Sequence, residues 1–460
     1  MAGRWTLARG VIHERASALD WAMDSRPRSD SRARECAGLG DGLSPAELSN
    51  LTPRAQIAEE WERVRLPESD RKLRVLIVGG AGVAGRNTAA SLSKFCPQLQ
   101  LVIGARNKDK GVQTVSTLGG NSEFVHVDIN DFTSLQAAMA DSDLVVHAAG
   151  PYEYADTKVL EAAIESKTTY VDISDHEGYS RRAKSYMNKA IAAGVPAITN
   201  AGANPGVSNL MAATLIHDAQ TENRGQPQKL RYNYFTSGSG GTGPGVLSTT
   251  FYLLADEAVT YHQGEEKKLK PYSDKRSVSF GEGIGERDVF LLNVPEVASA
   301  RRVFGVPTID ARFGTAPFFW NWTLLAVMKL LPVEILKDRR IVQFLSKFAY
   351  PFIRAVDVIS GEKAAIRVDL ECSDGYNTSA IFSHQRLAEA AGTATAAFVL
   401  AVLEGSTKPG VWYPEEPEGI AVEAREKLLR RAAEGAMEFQ ITKSFCRRKE
   451  KQGMKLGWIN

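Results

Sequence analysis

Val75-Leu76-Ile77-Val78-Gly79-Gly80-Ala81-Gly82-Val83-Ala84-Gly85 is the stretch that decides the fold. Arg74–Val78 is a short apolar run with β-branched residues, and Asn87–Phe95 has helical spacing. Between them Gly80, Gly82 and Gly85 form GxGxxG. In such a strand–turn–helix the first glycine permits the tight turn. The second lets the backbone approach a pyrophosphate, and the third allows close helix–strand packing. The helix N-terminus then offers N–H groups and a positive dipole end to phosphates. An isolated GxGxxG is equally a glycine-rich turn with no ligand. Here the strand before, the helix after and the βα units downstream supply the context that a dinucleotide site requires. Gly79, Gly80, Ala81, Gly82, Val83, Ala84 and Gly85 are therefore its candidate residues.

Working outward, strand and helix alternate. Leu99–Ile103, Phe124–Val127, Leu144–His147, Thr169–Ile173 and Pro196–Thr199 read as strands. Thr133–Met139, Thr157–Glu165 and Tyr179–Ala192 read as helices. Repeated βα units make a parallel, doubly wound sheet. After Gly206 the texture changes. Leu230–Thr236 alternates, Ser237–Gly245 is glycine-rich, and Val246–Thr260 reads as a helix. Ala365–Cys372 and Tyr376–Ser383 flank Ser373-Asp374-Gly375 as a hairpin. Gln385–Leu403 is an apolar helix stopped by Gly405. The predicted fold is α/β: a Rossmann domain over 71–206, an inserted α+β substrate domain over 207–384, and helices returning to the Rossmann domain over 385–440. Residues 1–70 are a disordered or targeting extension with a short helix capped at Ser44 and a polar helix through Gln56–Val64, and 441–460 are a solvated basic tail.

The second Rossmann strand selects the cofactor. A site for NAD places Asp or Glu at its end, to bind the ribose 2′-OH. This chain reads Gly104-Ala105-Arg106-Asn107-Lys108, with no carboxylate. Arg106 can donate charge-assisted hydrogen bonds to a 2′-phosphate, so NADP(H) is expected. Asn107 lies beside it, and Asp128 ends the next strand, near the adenine or as a helix cap. Ala148-Ala149-Gly150 has little bulk at a strand's C-terminal end, where ligands of open α/β sheets sit, and is placed beside the ribose and nicotinamide.

Composition bounds the partners. The 460 residues are 43% hydrophobic and 24% charged with a net charge of +2, which suits a soluble chain and gives no reason to expect nucleic acid. Cys36, Cys96, Cys372 and Cys446 are scattered, against a disulfide framework or a zinc site, and no metal is expected. Residues 1–44 are rich in Arg, but Glu14, Asp20, Asp24, Asp30 and Glu35 are unlike a transit peptide. A chloroplast address and a plain extension of a cytoplasmic protein both stay open. Ala316–Pro332 carries Phe318, Phe319, Trp320 and Trp322 but is short for a bilayer span. It reads as a helix packed in a core or interface, with peripheral membrane contact as the alternative. A homodimer is a further option.

Taken together, the Rossmann glycines, Ala105-Arg106-Asn107, Ala149-Gly150-Pro151-Tyr152, Thr169-Tyr170-Val171-Asp172, Asn204-Pro205-Gly206 and Gly240-Gly241-Thr242 resemble the saccharopine dehydrogenase-like family, nearest to its plant and algal members, over about residues 74–415. The resemblance implies hydride transfer between NADP(H) and a C=N, C=O or C=C group of a small molecule bound between domains. It names no substrate. Many members read Asp-x-x-Gly-Glu after the Tyr-x-Asp strand, where this chain reads Asp172-Ile173-Ser174-Asp175-His176-Glu177. Candidates for proton transfer on the sheet's C-terminal loops are Tyr152, Asp172, Asp175 and His176. His176 titrates near neutrality and suits a general acid. Equally, His176 and Asp175 can be a helix cap or solvated pair, and Tyr152 can pack on the cofactor. His147 reads as a structural strand residue. Asn204, Gly241 and Thr242 are the substrate-binding candidates, the last two on a loop that opens a helix and suits a carboxylate, or else serves as a hinge. The readings are an NADP(H)-dependent oxidoreductase, a non-catalytic NADPH-binding sensor or assembly factor, or a membrane-associated reductase of a lipid.

Overall fold

Fully apolar runs such as Val75–Val78 and Leu144–Val146 are buried on both faces, and that burial makes them strands of a covered parallel sheet. The computed structural model describes residues 3–6, 64, 66 and 71–445. The cap at Ser44, the helix through 56–64 except Val64, Cys36, Cys446 and the basic run 447–449 lie outside the described residues.

The strands in chain order are β1 Gly3–Thr6, β2 Arg74–Val78, β3 Gln100–Ala105, β4 Ser122–His126, β5 Leu144–His147, β6 Thr169–Asp172, β7 Pro196–Ile198, β8 Pro227–Ser237 and β9 Ala258–His262. They continue as β10 Glu265–Leu269, β11 Arg276–Ser279, β12 Glu286–Leu291, β13 Thr308–Ala316, β14 Lys363–Cys372, β15 Tyr376–His384, β16 Gly410–Trp412 and β17 Glu438–Phe445. The first sheet has seven strands in the order β16-β7-β6-β5-β2-β3-β4, all parallel. Its strand order reverses between β2 and β5, and the C-terminal crevice at such a point is where open α/β sheets bind ligands. The second sheet has ten strands and is mixed: β8 lies between antiparallel β14 and parallel β13. The doubly wound Rossmann sheet with a second, α+β layer is thus the fold the sequence implied.

Several local expectations are corrected. Segment 385–440 is not wholly helical, because Gly410–Trp412 adds β16 to the Rossmann sheet beside β7. The tail assigned to 441–460 begins inside β17, which pairs with β15, and Gly3–Thr6 pairs with β17 in turn. The helix read over Val246–Thr260 is Pro244–Ala255, and Val259-Thr260-Tyr261 belong to β9. The helix read over Tyr179–Ala192 is two, Glu177–Lys184 and Met187–Ala193; at the break the Ser185 hydroxyl donates to the Arg182 carbonyl.

The Leu387–Leu403 helix is buried nearly all round and crosses from the second sheet to the first. It packs on the Val83–Phe95 helix through Gly392, where an added Cβ would stand 2.4 Å from the Asn87 Cβ and 2.6 Å from its carbonyl carbon. One turn along, the Ser91 and Thr393 hydroxyls meet at 3.2 Å. Gly392→Ala is expected to force the two helices apart and to lower stability by roughly 1–3 kcal/mol, the usual scale of overpacking, read as a lower urea midpoint at unchanged slope.

Candidate functional site

Gly79, not Gly80, makes the tight turn after β2. Its φ is +82°, and a Cβ there would stand 2.8 Å from the Ala148 backbone at the end of β5. Its N–H donates to Gly104 O at 2.9 Å. Gly85 sets the helix against the turn, since a Cβ would lie 2.5 Å from Gly79 O. Gly82 differs: apart from Gly79 O at 3.0 Å, a Cβ there would face open space. That open side, at a helix end whose first N–H groups lack intrahelical partners, is the geometry a pyrophosphate requires. Ala148 and Ala149 are half-buried and Gly150 is exposed at the same edge.

Arg106 follows β3 and is exposed, and its guanidinium makes no hydrogen bond or ion pair with the described residues. Its charge is felt by Asp128, whose carboxyl is held below its ordinary range, first by the Asn130 N–H and also by Arg106. The Asn107 side chain caps the next helix, accepting from Lys110 N at 2.9 Å.

Two of the proposed proton-transfer residues point into the protein. Tyr152 is buried and its hydroxyl donates to the His147 carbonyl, in a cluster with His147 and Tyr179. It neither stacks on the crevice nor opens to it. His147 is structural, and burial pushes its imidazole down to about 3. Asp172 is buried, and one carboxylate oxygen accepts from Ser174 N, Thr199 Oγ1 and Asn200 N at 2.9, 3.0 and 3.0 Å. It therefore ties loops together at the sheet's edge. His176 is the N-cap of Glu177–Lys184: its Nδ1 accepts from Tyr179 N at 3.2 Å, and its Nε2 meets Glu153 at 2.6 Å. With Nδ1 accepting, the ring proton is assigned to Nε2 and directed at Glu153. Burial lowers the pKa of His176, but the hydrogen bond and charge of Glu153 outweigh it and raise the group.

A cavity of about 370 Å³, the size of a small-molecule site, lies between the domains. It begins at Val83 and Ala84 of the dinucleotide helix, includes Asn204 and Thr242, and continues along the second sheet. Gly241 does not line it. The Ser239–Gly245 loop also does not present a free anion site. Ser239 N and Oγ bind the carboxylate of Asp357, at 2.8 and 2.6 Å, so this loop already holds an anion of its own chain. His176 lines a smaller adjoining recess, and Asp175 borders both spaces. Burial raises the Asp175 carboxyl above its ordinary range.

Tyr234 and Glu296 also line the cavity, and sequence reading missed both. The Tyr234 hydroxyl donates to Glu296 at 2.6 Å and the Ser208 hydroxyl at 2.9 Å. Burial pushes the Glu296 carboxyl up, and the charge of Asp175 adds to this. Nothing in Val294-Pro295-Glu296 beyond a proline-led helix start marks it. Among the described residues lining the cavity, the charged ones are acidic and none is Lys, Arg or His.

Residues 75–202 match the family profile described as saccharopine dehydrogenase NADP binding domain. The first domain belongs to that family. Its cofactor is NADP(H), and the open side of Gly82 and the unpaired Arg106 fit it. Saccharopine dehydrogenase (L-Glu forming) from Saccharomyces cerevisiae is similar over 81% of this chain and 100% of its own, with a TM-score of 0.60 at 14% identity, a likeness of fold. An oxidoreductase domain protein from Kribbella flavida aligns over 78% of this chain and 94% of its own, at 12% identity and a TM-score of only 0.37. No curated protein matches the chain in sequence. NADP(H) is a carrier of hydride.

Two measurements follow. Arg106→Asp is expected to weaken NADPH binding by about 10–100-fold, the worth of a charge-assisted contact, with far less effect on NADH in calorimetry. Equal losses would remove Arg106 from 2′-phosphate recognition. Burial raises Asp172 to about 6, against the hydrogen bonds from Asn200, Ser174 and Thr199. A folded-state value above the unfolded one means that stability falls as pH rises from about 4 to about 6. Asp172→Asn keeps the acceptor oxygen without the charge and is expected to flatten the urea midpoint across that window.

Proposed function

We propose that the protein is an NADP(H)-dependent oxidoreductase acting on a largely apolar, uncharged small molecule held in the interdomain cavity. The observation that carries this reading is the continuity of that cavity with Val83 and Ala84 at the phosphate-binding turn. Space of substrate size adjoins the dinucleotide helix, which weighs against a non-catalytic sensor. The wall is mostly apolar, and its described charged residues are Asp175 and Glu296. A substrate rich in carboxylates would meet no cation there, so a ketone, aldehyde or activated alkene fits better than an amino diacid.

Asp175 is the residue assigned to carry the proton. It borders the cavity, and its raised pKa keeps a carboxylic acid available closer to neutrality than an ordinary aspartate does. Tyr234 and Glu296 form the opposing hydrogen-bonded pair, able to orient a substrate oxygen. His176 positions the Asp175 loop by capping the helix that follows it.

Asp175→Asn is expected to lower kcat for NADPH oxidation by about 100-fold, within the range of a lost general acid, while NADPH affinity stays unchanged. In the reducing direction the wild-type rate should decline as pH rises through the raised carboxyl pKa, and the variant should lose that limb. A screen follows loss of NADPH absorbance with uncharged enones, ketones and aldehydes beside oxo acids mixed with amino acids. Turnover confined to the acidic set would overturn the substrate class; an unaltered kcat in the variant would remove Asp175 as the acid.

A further inference from the structure

Helices Phe318–Leu330 and Arg339–Ser360 wall the cavity with their inner faces, through Trp320 and Leu324 on one and Tyr350 and Ile353 on the other. Their outer faces are apolar too. Phe318 and Trp322 are each 65% exposed, and Phe344, Phe348 and Phe352 are 67, 62 and 59% exposed. The last three recur every fourth residue and form one ridge, with neighbouring ring centroids 6.3 and 5.6 Å apart. A surface helix of a soluble protein normally turns its polar side outward, and a contiguous exposed aromatic ridge marks an interaction surface.

The charge beside the ridge indicates what covers it. Residues 318–360 carry six basic side chains against three acidic ones. Of the acidic three, Asp357 is buried against Ser239, and Asp338 caps the second helix through Arg340 N and Ile341 N. Lys337 pairs with Asp256, Arg339 lies over the Tyr154 ring, and Arg354 pairs with Glu362 and Asp357. Lys329, Arg340 and Lys347 are exposed, and their charged side-chain groups form no ion pair or hydrogen bond with the described residues. Helical periodicity puts Arg340, Lys347 and Arg354, seven apart, in a row along one side of the phenylalanine ridge. Aromatic rings flanked by free cations suit an interface of acyl chains beneath anionic headgroups. Among the described residues no helix is long and apolar enough to cross a membrane, so the helices would lie in its surface.

We propose that these two helices form a docking surface for an anionic lipid bilayer, inserting Phe344, Phe348 and Phe352 while Lys329, Arg340 and Lys347 meet the headgroups. Membrane contact in this proposal centres on the Arg339–Ser360 helix as much as on 316–332. It stands independently of the catalytic reading, because its test reads binding alone.

The full chain is floated with vesicles of phosphatidylcholine, and with vesicles in which about a third of the lipid is phosphatidylserine, at about 0.1 M salt. The expected result is at least about tenfold stronger binding to the anionic vesicles, weakened by salt. The combined variant Phe344→Ser, Phe348→Ser, Phe352→Ser should abolish it. Arg340→Glu with Lys347→Glu should reduce binding to that on neutral vesicles. Both sets change only exposed side chains, and circular dichroism with NADPH titration confirms folding. Absence of flotation, or equal binding to both vesicle types, would overturn the proposal. So would a wild-type dimer that the phenylalanine variant converts to monomer, since the ridge would then be covered by a second copy of the chain.

Discussion

The site depends on the close contact between the Leu387–Leu403 and Val83–Phe95 helices. Gly392 lets the two backbones approach where any side chain would collide with Asn87. The same long helix begins at the second domain, where Ala388 N donates to Gly240 O at 2.9 Å, and its first turns line the cavity. One rigid, buried element therefore holds the glycine-rich loop of the second domain over the phosphate-binding turn of the first. Its apolar surface on every side follows from that position, since it has a domain on each flank. The cavity is the space left where those packed surfaces diverge.

What could be read from the sequence was whatever local chemistry determines. Strands buried on both faces are continuous apolar runs, so β2, β3, β5 and β6 stand out. The glycine motif is legible because turn, helix end and phosphate geometry all lie within eleven residues. Exposed edge strands carry no such signal: β10 reads Glu-Glu-Lys-Lys-Leu and is exposed throughout. β17 is a different case. Phe439, Gln440 and Ile441 are all buried, so only the residue types Phe-Gln-Ile-Thr alternate, and that short signal was masked by the basic residues that follow. The Tyr234–Glu296 pair was out of reach, because its members are 62 residues apart and meet only through tertiary packing.

The polar residues at the sheet's C-terminal edge divide by what their side chains already hold. Tyr152, Asp172 and His176 each bond backbone groups of nearby loops and caps, and Asp172 and His176 also hold the side chains of Thr199 and Glu153. Residue type alone made them attractive for chemistry, yet the same capacity to bond backbone makes them loop-builders. Asp175 anchors less: its own backbone N–H and the Thr249 hydroxyl bond its carboxyl, but burial outweighs both. Its carboxyl is left at the cavity border, where desolvation favours the protonated form. Burial raises both carboxyls that face this apolar space, and the charge of Asp175 raises Glu296 further, so the cavity is closer to neutral than its formal charge suggests.

That near-neutral interior bears on the two helices that wall it. A helix with one face in an apolar cavity already satisfies the burial that amphipathic patterning requires, and its remaining face should be polar. Here the remaining face carries a phenylalanine ridge, so these helices are apolar toward both sides. Fold stability gives no reason for the outer ridge, because rings exposed by more than half lose little contact with water on folding. The ridge is thus a feature of what the helices meet outside, and the cavity one of what they enclose.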